Sequence, residues 1–267
     1  MKILHKTILI SLYFVPLVIF ADPLTYKVKG ENVTIVDCDE SASGDLVISA
    51  KHQGKPVTSI GKHAFRDCSS LTSVVIPDSV KSIGNTAFKD CSSLLRVSIP
   101  ESVTSIGTRA FEYCSSLSSV TIPDSIKSVG TDAFFGCSSL KSIEVGKGNT
   151  RYASINGVFF DKKRKTTLIK FPASKSGHYI IPDSVKIIGN FAFASCNGLT
   201  SVNIGNGVTS IGDYAFKNCS RLKSVSISGS VTSIGRRRST AAAVLQVPRY
   251  LTASPALGFR PSVTAKV

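Results

Sequence analysis

The sequence predicts a β-rich solenoid, with one parallel strand and one short helical or 3₁₀ turn in every 23-residue repeat. Three patterns, all in phase, predict it. The pairs Ile60-Gly61, Ile83-Gly84, Ile106-Gly107 and Val129-Gly130 recur at intervals of 23, and Ile188-Gly189, Ile211-Gly212 and Ile234-Gly235 resume the step. Cys68, Cys91, Cys114 and Cys137, then Cys196 and Cys219, keep the same interval. An apolar triplet follows each of these cysteines, first at Leu71, Val74 and Ile76 and last at Leu222, Val225 and Ile227. A unit this short cannot bury its apolar side chains alone, so successive units must stack.

Residues 1–21 read as a signal peptide. Lys2, His5 and Lys6 form a basic start, Thr7 to Phe20 is an apolar run, and Ala21 is a small residue for cleavage before Asp22. The run is short for a bilayer, which needs about 20 apolar residues, and Pro16 interrupts it. Residues 22–56 hold three strand-like segments, Tyr26 to Lys29, Val33 to Val36 and Leu46 to Ser49. They are expected to cap the N-terminal edge of the stack, because an uncovered edge invites association.

Repeats one to four occupy residues 57–148. The period-2 spacing at the end of each triplet turns two side chains to one face, as a strand requires. Pro77, Pro100 and Pro123 follow the triplets and remove a ladder donor, so pairing should stop there. Gly61 and its equivalents are expected to allow a sharp turn, and Ala87-Phe88 to begin the helical turn that ends near Cys91.

Residues 149–184 break the phase. Tyr152, Ile155, Val158, Phe159 and Phe160 precede the run Lys162, Lys163, Arg164, Lys165, and Leu168, Ile169 and Phe171 follow it. Two apolar segments around a polar tip predict a β-hairpin with a basic end, a spacer that also marks where solenoids often bind. Repeats five and six and part of a seventh fill residues 185–235. The tail, 236–267, has six basic residues, no acid and no repeat phase, and is read as disordered or as an altered reading frame.

The run A-F-x-x-C-x-x-L-x-x-V-x-I-P-x-S-V-x-x-I-G, nearly intact in several copies across residues 44–235, resembles the BspA-like branch of the leucine-rich-repeat family. The resemblance implies a leucine-rich-repeat solenoid, a surface or secreted location, and attachment to host matrix proteins or other cells. One departure stands out. The Asn or Cys usual three residues after the triplet is replaced by Ser79, Ser102 and Ser125, so a buried Asn ladder is not expected.

Net charge is +15, and +7 falls on residues 22–235 once two signal lysines and six tail cations are set aside. Such a domain can attract polyanions. Six cysteines at one repeat position would stack about 4.8 Å apart with parallel side chains, too far for a bridge. Buried thiols are therefore favoured over disulfides, with Cys38 standing apart. No C-x-x-C is present to hold zinc. The histidines His5, His52, His63 and His178 have no matched Ser or Cys partner, and no G-x-S-x-G or P-loop occurs. No catalytic, metal or cofactor residue is assigned, and no specific nucleic acid is expected as partner.

The outward strand positions are Ser73, Val75, Arg96, Ser98, Ser119, Thr121, Ser142, Glu144, Ser201, Asn203, Ser224 and Ser226. They form the candidate binding surface for an extracellular protein or cell-surface ligand, with the hairpin tip as a second, polyanion-directed candidate. Asn32-Val-Thr and Asn218-Cys-Ser are glycosylation acceptors where the host has that pathway.

Overall fold

The computed structural model describes residues 22–162, 167–235 and, for the backbone alone, 245–246. The chain winds as a β-solenoid whose turns stack in the predicted register. Val74 pairs with Val97, Val120 with Ile143, and Val202 with Val225, each across 23 residues. The short second strands do the same, Ile60 to Ile83 to Ile106 to Val129, and Ile188 to Ile211 to Ile234.

Each turn therefore contributes to two parallel ladders. The broad ladder, or strand face, contains Ser43–Val47, Ser70–Val75, Arg96–Ser98, Ser119–Ile122 and Ser142–Val145. After the insert it continues with Gly177–Ile180, Leu199–Ile204, Ser224–Ile227 and Leu245–Gln246. The narrow ladder runs from Asn32–Cys38 through Lys55–Ile60, Ser82–Ile83 and Ser105–Ile106 to Ser128–Val129. It restarts at Thr167–Lys170 and ends at Ser233–Ile234. Leu24–Lys29 lies antiparallel on Asn32–Cys38 and covers the first narrow strand, which spares the stack an open edge.

The third face corrects the expected helical turn. No helix forms among the described residues; the Ala-Phe segments are consecutive turns. Two positions in each segment take positive φ, for example Thr86 (52°) and Asp90 (61°), or Arg109 (54°) and Tyr113 (59°). Left-handed residues interrupt a right-handed helix. What compensates is hydrogen bonding between turns. The N–H groups of His63, Phe65 and Asp67 donate to the carbonyls of Asn85, Ala87 and Lys89, and the pattern repeats down the stack.

The apolar filling follows the repeat. Leu71, Leu94, Leu117 and Leu140 are buried, as are Phe65, Phe88, Phe111 and Phe134, whose rings stack with centroids 4.7, 5.2 and 5.6 Å apart. Burial of side chains this size contributes roughly 2 kcal/mol or more each. One buried cluster spans Leu24 to Phe159 and a second spans Val158 to Ile234.

Polar rows lock the register. Where the Asn ladder is missing, serine hydroxyls take its place: Ser102 donates to the Val80 carbonyl (2.7 Å), Ser125 to Val103 (2.6 Å) and Ser230 to Val208 (2.7 Å). The cysteines form another row. Their thiols donate to carbonyls of the preceding turn, Cys91 to Phe65 (2.9 Å), Cys114 to Phe88 (3.0 Å), Cys137 to Phe111 (3.1 Å) and Cys219 to Phe193 (2.9 Å). Cys38 is unpaired, as expected. The Cys68 thiol reaches the Cys38 carbonyl at 3.8 Å, so Cys38 extends the row into the cap. All seven cysteines are buried and free.

The insert is a three-stranded meander. Tyr152–Ile155 turns through Asn156-Gly157 onto Val158–Asp161, which pairs antiparallel with Thr167–Lys170. The last strand then joins the narrow ladder in parallel with Ile187–Ile188. Asn149, fully buried, starts it. The Asn149 side-chain amide donates to the carbonyls of Pro123 and Ile126, while its oxygen accepts from the N–H groups of Arg151 and Tyr152.

Candidate functional site

The strand face carries the predicted surface residues, and ladder register sets them in rows. Ser73 pairs with Arg96, Val75 with Ser98, Ser119 with Ser142, Thr121 with Glu144, Ser201 with Ser224, and Asn203 with Ser226. Most point to solvent because alternate strand residues are committed to the core. Three depart from the expected exposure, Ser201 among them as a half-buried residue. Ser73 is buried, its hydroxyl donating to Asp45 Oδ1 at 2.6 Å. Ser142 is half-buried because Gly157 of the insert lies over it, where a Cβ would sit 2.7 Å from that of Ser142.

The insert also divides the face. Positions 73–144 lie on one side of it and 201–226 on the other, with no strand pairing between Ser142–Val145 and Gly177–Ile180. The ladder is also unpaired between Arg96–Ser98 and Ser119–Ile122, but only at the insert does an irregular segment come between the two parts of the face.

Two groups of face residues escaped the sequence reading. Asp45 accepts from Thr72 (2.8 Å) and Ser73 and lies 3.6 Å from the Arg96 guanidinium. The hydrogen bond from Ser73, then that from Thr72 and the Arg96 charge, hold the Asp45 carboxyl below its ordinary pKa. Beside it Val47 (72% exposed) and Val75 (44%) form an apolar row. On the second half, His178 Nδ1 lies 2.7 Å from Ser201 Oγ, and Ile180 is 61% exposed. A signal for these existed: His178 and Ile180 precede Ile181-Pro182 as Ser73 and Val75 precede Ile76-Pro77.

The basic candidate is only partly visible. Lys162 is turned inward, its Nζ donating to the Asn149 carbonyl at 2.7 Å. Lys163, Arg164 and Lys165 lie outside the described residues, as do the signal segment 1–21 and most of the tail.

The Cys38, Cys114, Cys137 and Cys196 thiols have little chemistry to offer at neutral pH, whereas hydrogen bonds from Cys38 and Cys196 lower Cys68 and Cys219. Burial pushes Cys137 up to about 12 and Cys114 well above its usual value, and the hydrogen bond that Cys38 donates to Cys68, together with burial, raises Cys38. A protonated buried thiol is a poor nucleophile and metal ligand. Among the described residues, no group of three or more His, Cys, Asp or Glu is placed to hold a metal ion, and no helix is long and apolar enough to cross a membrane.

A family model described as the BspA type leucine rich repeat region matches residues 58–177 and 171–238, in 6 copies. Among solved structures, a leucine-rich repeat protein from Eubacterium ventriosum is 26% identical, with TM-score 0.61, over 80% of this chain and 66% of that one. The pneumococcal vaccine antigen PcpA is 21% identical, with TM-score 0.54, over 80% and 76%. A Treponema pallidum (T. pallidum) leucine-rich repeat protein is 27% identical, with TM-score 0.49, over 80% and 84%. No curated protein matches the chain significantly.

Proposed function

Because the chain belongs to the BspA-type leucine-rich-repeat family, we propose that it is a secreted or cell-surface protein that binds other proteins through its strand face and catalyses no reaction. The observation that carries the reading is that face itself. Its outward side chains are small, mostly neutral and set in register, with hydroxyls at Ser98, Ser119, Thr121, Ser224 and Ser226. The apolar row of Val47 and Val75 and the exposed Arg96 add the residue types that anchor an interface. Solenoids use extended surfaces of this sort for large partners. Single contacts here would be weak, and display in many copies would supply avidity.

The test is binding of the chain to immobilised extracellular-matrix proteins before and after a triple change, Val75→Glu, Ser98→Lys and Thr121→Glu, whose alternating charges avoid repulsion along the row. These positions are exposed, so the thermal midpoint should hold while retention falls at least tenfold. Retention unchanged both by this triple variant and by Ile180→Glu with Ser226→Lys on the second half would sink the strand-face reading.

A second reading is polyanion binding through Lys162, Lys163, Arg164 and Lys165, supported by four consecutive basic residues in the segment of sequence that joins the paired strands Val158–Asp161 and Thr167–Lys170. Replacing Lys163, Arg164 and Lys165 by Ser should lower the salt needed to elute the chain from heparin. Equal elution of both proteins would remove this reading.

A further inference from the structure

Where the insert interrupts the stack, the third face is left with a hole. Its inter-turn ladder runs from His63 through Arg109, Phe111 and Tyr113, which donate to Thr131, Ala133 and Phe135. The insert supplies no Ala-Phe turn to receive the next rung from residues 131–135, and the pattern resumes only with Phe171 donating to Ala192 and Phe191 to Asp213. The gap is a cavity of about 270 Å³, lined among others by Asp132, Phe135, Tyr152, Phe159, Lys170 and Phe191. That volume lies just under the range of about 300–1,000 Å³ usual for small-molecule sites.

Asp132 is the unusual member. Its side chain is 9% exposed, and its Oδ1 has no hydrogen-bond partner among the described residues. The other oxygen, Oδ2, lies 3.9 Å from Arg109 Nε, longer than a hydrogen bond. In the other turns the equivalent residues are His63, Thr86, Arg109, Phe191 and Tyr214. A buried, half-satisfied carboxylate costs stability unless something pairs with it.

The charges around it are mixed. Lys170 lines the same cavity but spends its ammonium on the carbonyls of Phe191 (3.2 Å) and Ala194 (3.3 Å). Arg109 is shared with Glu112, 4.0 Å away. Asp161 adds a second carboxylate to the lining. The aromatic residues form a row across the gap, Phe135 to Phe191 at 4.9 Å and Phe191 to Tyr214 at 4.9 Å. This row already takes one cation from the chain, Lys217 Nζ, 5.8 Å above Phe135 and 5.4 Å above Tyr214.

We propose that this cavity binds a small organic cation, an ammonium or guanidinium on an apolar body, with Asp132 Oδ1 accepting from the cationic head and the aromatic walls of Phe135, Tyr152, Phe159 and Phe191 enclosing the body. A carboxylate supplies the charge and hydrogen bond, and aromatic faces favour a cation near their centres. The site is separate from the strand face and its test is independent of that reading.

Calorimetric titration of the full chain with benzylammonium chloride, and with benzyl alcohol as the uncharged counterpart, tests the proposal. Benzylammonium should bind saturably, at least ten times more tightly than benzyl alcohol, and Asp132→Asn should abolish that preference. Asp183→Asn, on an exposed acid away from the cavity, should leave it intact. Amide chemical shifts should move at Val129 to Phe135 and Gly189 to Phe191, which reads the site even if a variant is less stable. Absence of saturable benzylammonium binding, equal affinity for the alcohol, or undiminished binding to a folded Asp132→Asn chain would each overturn it.

Discussion

At the residue scale, the positions that matter most for this architecture are those that break the repeat. Asn149 makes four hydrogen bonds from a fully buried side chain, two as donor and two as acceptor, where the first run of turns ends. Its amide closes off carbonyls that the next regular turn would otherwise cover. Truncation would leave several buried backbone groups unpaired, each costing about 1–3 kcal/mol. Asn149→Ala is therefore expected to lower unfolding free energy by at least about 2 kcal/mol in urea titration, well beyond the effect of Asn206→Ala at an exposed turn. The repeat pattern made Asn149 look like the first residue of a spacer. Its role depends on which carbonyls face it, and spacing along the chain carries no such information.

At the element scale, the glycine of each Ile-Gly pair shows how a right residue can be chosen for another reason than the one first inferred. A sharp turn was the expected use, yet Gly84, Gly107 and Gly130 do not take positive φ. A Cβ on Gly107 would fall 2.5 Å from the Asn85 nitrogen and from the Gly84 carbonyl carbon. The glycines are there to let one turn's backbone lie directly on the next. Gly107→Ala should cost about 3 kcal/mol, the upper end for overpacking, measurable as a lowered urea midpoint with an unchanged slope. Left-handed positions make the complementary point. Among the described residues thirteen non-glycine positions adopt positive φ, and most recur at two fixed places in the third-face turns. The helical turn expected from Ala87-Phe88 fails for this reason: bonds to the neighbouring turn outweigh bonds within one.

At the scale of the whole molecule, the chain is a line of nearest-neighbour contacts divided by an insert. Two buried clusters, Leu24 to Phe159 and Val158 to Ile234, meet at the meander. Stability in such a stack is approximately a sum of turn and interface contributions, so damage should stay local. Phe193→Ala removes the ring between Phe171 (5.1 Å) and Phe216 (5.0 Å) and should cost about 3–5 kcal/mol. Hydrogen exchange is the direct measurement. Amides in residues 185–234 should lose roughly 10²-fold protection or more, while those in 57–122 keep theirs. Equal loss along the chain would show instead that the two clusters unfold as one unit.

The residue order alone determined the stack, its 23-residue register, the strand and proline positions and the buried apolar triplets, because each rests on a local periodicity that repetition amplifies. The paired strands that flank the basic run were legible from two apolar segments around a polar stretch, and Asn156-Gly157 offered an unused signal for the first turn of the meander. Only the tertiary structure decided that the strand face is split, that Asp45 organises Ser73 and Arg96, and that Asp132 is left facing a cavity. These follow from what an irregular segment places against a regular one. Periodicity specifies the contacts between like turns; where an unlike turn intervenes, the neighbours are set by three-dimensional packing that no repeat encodes.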